Sequence, residues 1–158
     1  MTATTPTVLY AEDDENDVFF MERAFSKLKR RGALQVVTNG RAAVDYLSGT
    51  GAFSDRTRHP LPDLLLLDVK MPEMSGLEVL KWARERAEFA RMPILLFTSS
   101  TQHADIAFSR QHGASAYLVK PSNAEQLIGL VEKICAAYAN RTEDAPVLAL
   151  EENRLRSG

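Results

Sequence analysis

Four groups of reactive side chains each follow directly on a short apolar run. Glu12, Asp13 and Asp14 follow Thr7–Ala11, and Asp68 follows Leu64–Leu67. Thr98, Ser99 and Ser100 follow Ile94–Phe97, and Lys120-Pro121 follows Ala116–Val119. If the ends of these runs converge, carboxylates, a hydroxyl and one ammonium share a small pocket. Carboxylates crowded together repel one another and raise the pKa of one member, a cost that a divalent cation relieves. All-oxygen ligands at a partly solvated rim suit Mg²⁺, which keeps several waters and takes one or two carboxylates plus phosphate oxygens. A carboxylate such as Asp68 is a competent phosphoryl acceptor. A metal and Lys120 would offset charge on the phosphoryl oxygens, and the Thr98 hydroxyl would add a hydrogen bond. Phosphoryl transfer needs little more than such positioning and electrostatics.

The elements that must do the positioning are legible in outline. The four runs, with Leu34–Val37, are short and apolar at both alternating positions, as strands are when helices cover both faces of a parallel sheet. Leu64–Leu67 alone also fits a buried helix; Pro62-Asp63 before it and Pro72 after it favour a strand. Between the runs lie amphipathic stretches. Val18, Met21, Phe25 and Leu28 predict a helix over about 15–29. Ala42, Tyr46 and Leu47 predict a second, and Leu77 with Leu80 a third after Ser75-Gly76. A weaker fourth runs over about 102–112 and stops at Gly113. Leu127, Leu130, Val131, Ile134 and Tyr138 mark the fifth, with Ser122 and Glu125 as its capping box. Five strands alternating with five helices imply right-handed crossovers and a doubly wound α/β sheet, whose ligands bind outside the carboxyl ends of the strands. Residues 49–61 form a long connection, and 141–158 a charged tail after a single domain over 1–140.

The motifs VLYAEDD, LLLLDVKMPEMSG, ILLFTSS and AYLVKP, in this order, resemble the receiver domain of two-component response regulators, over about Thr7 to Tyr138. The resemblance implies a flavodoxin-like sandwich whose five-stranded parallel sheet has the order 2-1-3-4-5. It implies that Asp68 is the phosphoacceptor. Glu12, Asp13, Asp68 and the backbone carbonyl of Lys70 would hold Mg²⁺, Asp13 directly and Glu12 mostly through water. Thr98 and Lys120 would bind the phosphoryl group, and the Tyr117 ring would turn inward on activation. The Lys120–Pro121 bond would be cis. The partner is a histidine kinase. The connection before the third strand, the PDLLLLD run and the TSS triplet look like the single-domain regulators of bacterial phytochromes. Helix 1, around Phe19 and Phe20, would dock the kinase. The helix 4–strand 5–helix 5 face, with Ile106, Phe108 and Tyr117, would make a homodimer.

The remaining composition excludes other classes. Nineteen Lys+Arg stand against 21 Asp+Glu, a net charge of −2 in 158 residues, which argues against coating nucleic acid or an anionic membrane. The basic cluster Lys27–Arg31 is suited to a helix C-terminus. A single cysteine, Cys135, rules out a disulfide framework and reads as a small buried hydrophobe. No signal peptide and no membrane-length apolar run is visible, so a cytoplasmic location is expected. Asp14 reads as a helix cap, Trp82 as a packing residue, and His59, His103 and His112 as loop or solvent-facing residues. Two rivals are weaker. A phosphohydrolase of the haloacid-dehalogenase type needs a second Asp two residues after the nucleophile, where this chain has Lys70. A degenerate receiver acting only as an adaptor would lack Asp68, the acidic pair or Lys120, and all are present. The chain thus reads as a phosphoacceptor, not a classical enzyme.

Overall fold

In a computed structural model, which describes residues 6–28 and 33–139, five strands and five helices alternate along the chain. They are β1 (Thr7–Ala11), α1 (Glu15–Ser26), β2 (Ala33–Val37), α2 (Gly40–Ser48), β3 (Leu64–Leu67), α3 (Gly76–Arg84), β4 (Ile94–Thr98), α4 (His103–Gln111), β5 (Ala116–Val119) and α5 (Ala124–Ala139). All neighbouring strands are parallel, in the order β2-β1-β3-β4-β5. The expected tail over 141–158 and the greater part of the basic cluster fall outside the described residues.

The Leu64–Leu67 run shows why both strand faces are apolar. Leu65 and Leu67 pack with Leu9, Leu96, Tyr117 and the inner faces of α2 and α3. Leu64 and Leu66 point the other way, into a second core with Val8, Leu95, Leu118 and the stripes of α1 and α5. A period of two along the strand therefore feeds two cores, and the central strands β3 and β4 are buried at every position.

Local chemistry fixes the helix ends. Asp14 caps α1 by accepting from the backbone N–H groups of Asn16 and Asp17, and Asn39 caps α2 by accepting from Ala42. Ser75 and Glu78 form a reciprocal capping box on α3. The box expected at Ser122 and Glu125 is absent. α5 starts one residue later than that box requires, and Asn123 Oδ1 takes the N–H of Gln126 instead, an Asn being at least as good a cap as Ser. α4 has no side-chain cap and buries only Ser109, which matches its weak sequence pattern. Gly113, at φ 83, follows its end.

The 49–61 connection is tied down by one residue. The Arg56 guanidinium donates to the carbonyls of Tyr46 (2.8 Å), Leu47 (2.8 Å) and His59 (3.1 Å). The first two lie at the C-terminal end of α2, where a cation also suits the macrodipole, and Tyr46 accepts from the Gly49 N–H as well. Gly49 adopts φ +69 there, and a Cβ would meet Arg56 Nη2 at 2.8 Å. The Tyr46, Phe53 and His59 rings pack together above it, so His59 is half-buried and not solvent-facing. Replacing Arg56 by Ala removes the side-chain donor from the Leu47 and His59 carbonyls and leaves Tyr46 only the Gly49 N–H. The expected loss is about 1–3 kcal/mol in urea unfolding, only partly restored by Lys, which cannot span the three acceptors as a planar fork does. An Ala variant as stable as the parent would contradict this role.

Candidate functional site

The strand register assembles the site at the carboxyl edge of the sheet. Ala11 pairs with Leu67, so the next residues along, Glu12 and Asp68, stand side by side, and the Asp68 N–H donates to the Ala11 carbonyl at 3.1 Å. Thr98 pairs with Val119, and the Lys120 N–H donates to the Thr98 carbonyl at 2.8 Å. Carboxylate oxygens of Glu12, Asp13 and Asp68 lie within 4.8 Å of one another. Glu12 and Asp68 are buried, while Asp13 is exposed. Three hard oxygen donors at a rim open on one side fit a magnesium-sized cation, and a carboxylate trio with so few partners is electrostatically unsatisfied without a countercharge.

Lys120 supplies part of that countercharge. Its Nζ donates to Glu12 Oε1 (2.5 Å), Asp17 Oδ2 (2.8 Å) and Asp68 Oδ2 (3.4 Å). Glu12, 1% exposed, also accepts from the Tyr10 hydroxyl (3.1 Å) and the Asp14 N–H (3.2 Å). Burial pushes the Glu12 carboxyl up to about 7, with the neighbouring Asp68 charge adding to the rise and the Lys120 hydrogen bond opposing it. Burial by itself would lower the Lys120 pKa, but hydrogen bonds to Asp17 and Glu12 and the Asp68 charge raise it, so the ammonium stays charged. The Tyr10 phenol is held protonated, first by burial and then by the adjacent Glu12 charge.

The phosphoacceptor candidate has a rigid backing. A Cβ on Gly76, the first residue of α3, would stand 2.0 Å from the Asp68 carbonyl oxygen, and the Gly76 N–H donates to Val69 at 3.0 Å. Only glycine lets α3 approach the strand end this closely. Between them the loop turns through Glu73, whose φ of 66 is a strained value for a residue with a side chain.

On the other side, Ser100 gathers four contacts, one of them the Gln102 N–H donating to its hydroxyl oxygen at 3.3 Å. Its N–H donates to Thr98 Oγ1 (3.2 Å), its hydroxyl donates to Asp105 Oδ2 (2.7 Å), and its carbonyl accepts from the Tyr117 phenol (2.8 Å). The Thr98 hydroxyl is therefore already tied to the loop that enters α4.

Two expectations change. The Lys120–Pro121 peptide is trans, since the described residues contain no cis bond. X–Pro bonds favour trans by about 0.5–1 kcal/mol, and Lys120 reaches its carboxylates with the trans bond. Tyr117, 1% exposed, already lies inside the core with its phenol satisfied by Ser100, so it does not line a dimer face. Of that face, Ile106 is half-buried against the α2–α3 core, and Phe108 is half-buried against the His112 ring at 4.1 Å. Glu12 spends its oxygens on Lys120, Tyr10 and the Asp14 N–H. As to the remaining site residues, Glu12, Asp13, Asp68 and Lys120 come together, with Thr98 one hydrogen bond away through the Lys120 backbone. The Lys70 side chain is exposed and, with Asp13, Ser75 and Gln102, lines an open groove of ≈ 660 Å³.

Sequence reading passed over Asp17 and Tyr10. Asp17 lies in the first turn of α1, three residues after the cap Asp14, where an acidic residue has the ordinary reading of a dipole partner. Cys135 is buried, as expected, and burial pushes its thiol up to about 11.

The Glu12 shift has a calculable consequence. Its folded pKa lies above the usual carboxylate value, so between about pH 4.5 and 7 the folded state binds more protons than the unfolded one. Metal-free protein should therefore lose stability as pH rises through this window, with a slope of at most about 1.4 kcal/mol per pH unit, and Glu12→Gln should flatten that part of the profile. Chemical denaturation in EDTA at pH 5, 6 and 7 measures it; equal slopes for parent and variant would refute the assignment. A second variant tests the backing: Gly76→Ala must move α3 or Asp68. It should cost about 1–3 kcal/mol by thermal unfolding, and a neutral outcome would show that the helix yields freely.

Residues 8–132 match the model of the response regulator receiver domain. The polar-differentiation response regulator DivK of Brucella ovis is 30% identical over 128 residues, 81% of this chain and 94% of DivK. Among solved structures, the phosphorylated cyanobacterial phytochrome response regulator RcpA superposes with a TM-score of 0.79 at 25% identity, covering 87% of this chain and 96% of RcpA. The Mn²⁺-bound response regulator Rcp1 gives 0.76 at 25% identity, with the same coverage.

Proposed function

The chain belongs to the response regulator receiver family of two-component signalling, and on that footing we propose that it takes a phosphoryl group from a histidine kinase onto Asp68 and signals by protein–protein contact. The observation that carries the reading is the meeting of Asp68, Glu12 and Asp13 with the Lys120 ammonium at one end of the sheet. A carboxylate of Asp68 attacks phosphorus; the new O–P bond replaces the P–N bond of the kinase phosphohistidine, whose electron pair returns to the imidazole ring. Glu12, Asp13, Asp68 and the Lys70 carbonyl would hold Mg²⁺, which, when bound, neutralises charge on the phosphoryl oxygens. The Mn²⁺ in the related Rcp1 supports a divalent ion in this pocket.

Lys120 then exchanges a carboxylate for a phosphoryl oxygen, and the Thr98 hydroxyl turns from Ser100 to donate to the same group. Because Ser100 also holds Tyr117 and Asp105, moving Thr98 disturbs the entry to α4. α4 buries little and is loosely anchored, so it is the element whose placement the new charge biases. The Tyr117 ring, already inside, acts by keeping or breaking its Ser100 bond.

The likeness to a phytochrome regulator supports a photoreceptor kinase as donor. Phe19 and Phe20, 56% and 45% exposed on α1, are the apolar surface offered to it. We take the α4–β5–α5 face as the pairing surface of a homodimer, with Phe108 rather than Tyr117 on it, and a cytoplasmic setting. No helix among the described residues is long and apolar enough to cross a membrane. The only reactions catalysed are the gain and loss of the protein's own phosphoryl group.

Intact-protein mass after incubation with acetyl phosphate and Mg²⁺ tests this. One phosphoryl adduct is expected, absent in Asp68→Asn and in EDTA. An adduct that survives the substitution or the chelator would refute Asp68 as acceptor or the metal requirement.

A further inference from the structure

We propose that Asp17 is a positioning residue that withholds Lys120 from Asp68 in the unphosphorylated protein, and so sets the rate at which Asp68 is phosphorylated. The proposal rests on the receiver reading above. A lysine ammonium has three protons to donate, and here all three go to carboxylates. They are not shared equally: the contacts to Glu12 and Asp17 are 2.5 and 2.8 Å, that to Asp68 is 3.4 Å. Two acids that would not carry the phosphoryl group thus hold the ammonium more closely than the one that would. Glu12 belongs to the metal-binding trio. Asp17 does not, and no other side chain in the described residues donates to it among the bonds found.

The fold places Asp17 with care. Asp14 Oδ1 accepts the backbone N–H of Asp17 at 3.1 Å, which fixes where α1 begins and hence which residue of its first turn meets Lys120. Asp17 and Lys120 together line a cavity of ≈ 190 Å³ between the start of α1 and the start of α5, and Asp13 and Asp68 are not part of its lining. The ammonium is therefore drawn out toward α1. A phosphoryl group on Asp68 brings oxygens that carry more charge than a carboxylate and compete for the same donor. The Asp17 contact is the one that can be given up without disturbing the metal ligands.

It follows that Asp17→Asn should release Lys120 toward Asp68 and speed phosphorylation by acetyl phosphate in Mg²⁺. In that step Asp68 forms an O–P bond, the acetyl–phosphate O–P bond breaks and acetate leaves with the electron pair. A rate gain of about three- to tenfold is expected, the range of one partly exposed charged contact. Asp17→Glu, which keeps the charge, should return the rate toward that of the parent. Glu15→Gln removes an exposed carboxylate from the same helix turn and should leave the rate unchanged. Rates come from intact mass against time, with circular dichroism melts to show that each variant is folded. An unchanged or slower Asp17→Asn, or an equal gain in Glu15→Gln, overturns the proposal, the latter because any lost negative charge would then suffice. If Asp17→Asn does not fold, an Asp17→Glu rate different from the parent's also overturns it. A parent protein that takes no adduct sinks the receiver reading and this proposal with it, whereas a parent that is modified and a silent Asp17→Asn sinks this proposal alone.

Discussion

Everything at the carboxyl edge of the sheet is arranged around a surplus of negative charge. Glu12, Asp13 and Asp68 bring three carboxylates within 4.8 Å, and Asp17 adds a fourth beside Lys120. Two of the trio are buried, where water screens them least. One ammonium bridges three of the four acids, and its stem rises from the end of β5 because the β4–β5 register puts Lys120 next to Thr98. The surplus that remains has two sinks. A proton on Glu12 is one, since burial first, and then the Asp68 charge, push that carboxyl up to about 7. A divalent cation is the other. The pocket is therefore poised between proton and metal.

The two-faced core is what lets so much charge be gathered safely. Leu64–Leu67 sends alternate side chains into opposite cores, so the strand end is held from both sides before the first polar residue appears. Dispersion and burial fix the backbone, and electrostatics is left to fix only the side chains. The helices differ in how firmly they join this core. α3 meets Asp68 through a glycine and begins in a reciprocal cap, whereas α4 buries one serine and has no side-chain cap. Rigidity is concentrated beneath the acceptor, and looseness lies where the loop from Thr98 leads.

The sequence made the strands, the sheet class and the Glu12–Asp13–Asp68–Lys120 group legible, because each depends on short-range pattern: four apolar residues, then a polar one. What it hid depends on distance in the chain. Asp17 reads as an ordinary acidic residue in a helix first turn, and only the packing of α1 beside α5 reveals Lys120 in front of it. Arg56 reads as one charge in a loop, because its three acceptors are backbone carbonyls with no sequence signature. The Ser122 cap was displaced by a neighbouring Asn of equal or better capping strength, a choice that spacing alone does not resolve. Tyr117 was taken for a residue with a turn still to make, yet its place in the α2–α3 core and its bond to Ser100 hold it inside.

The approach of Gly76 to the Asp68 carbonyl has a consequence for how such a pocket can drift. Side chains around a site are adjustable parts, since a lost methyl here can be offset by a gained one there. The distance between α3 and the end of β3 is not adjustable in this way, because it is a contact of backbone on backbone with nothing between. It works like the datum surface of a machined part. Residues can vary on either side of it, and the helix can change its outer face entirely, while the height of the Asp68 carbonyl above the sheet stays where two main chains touch.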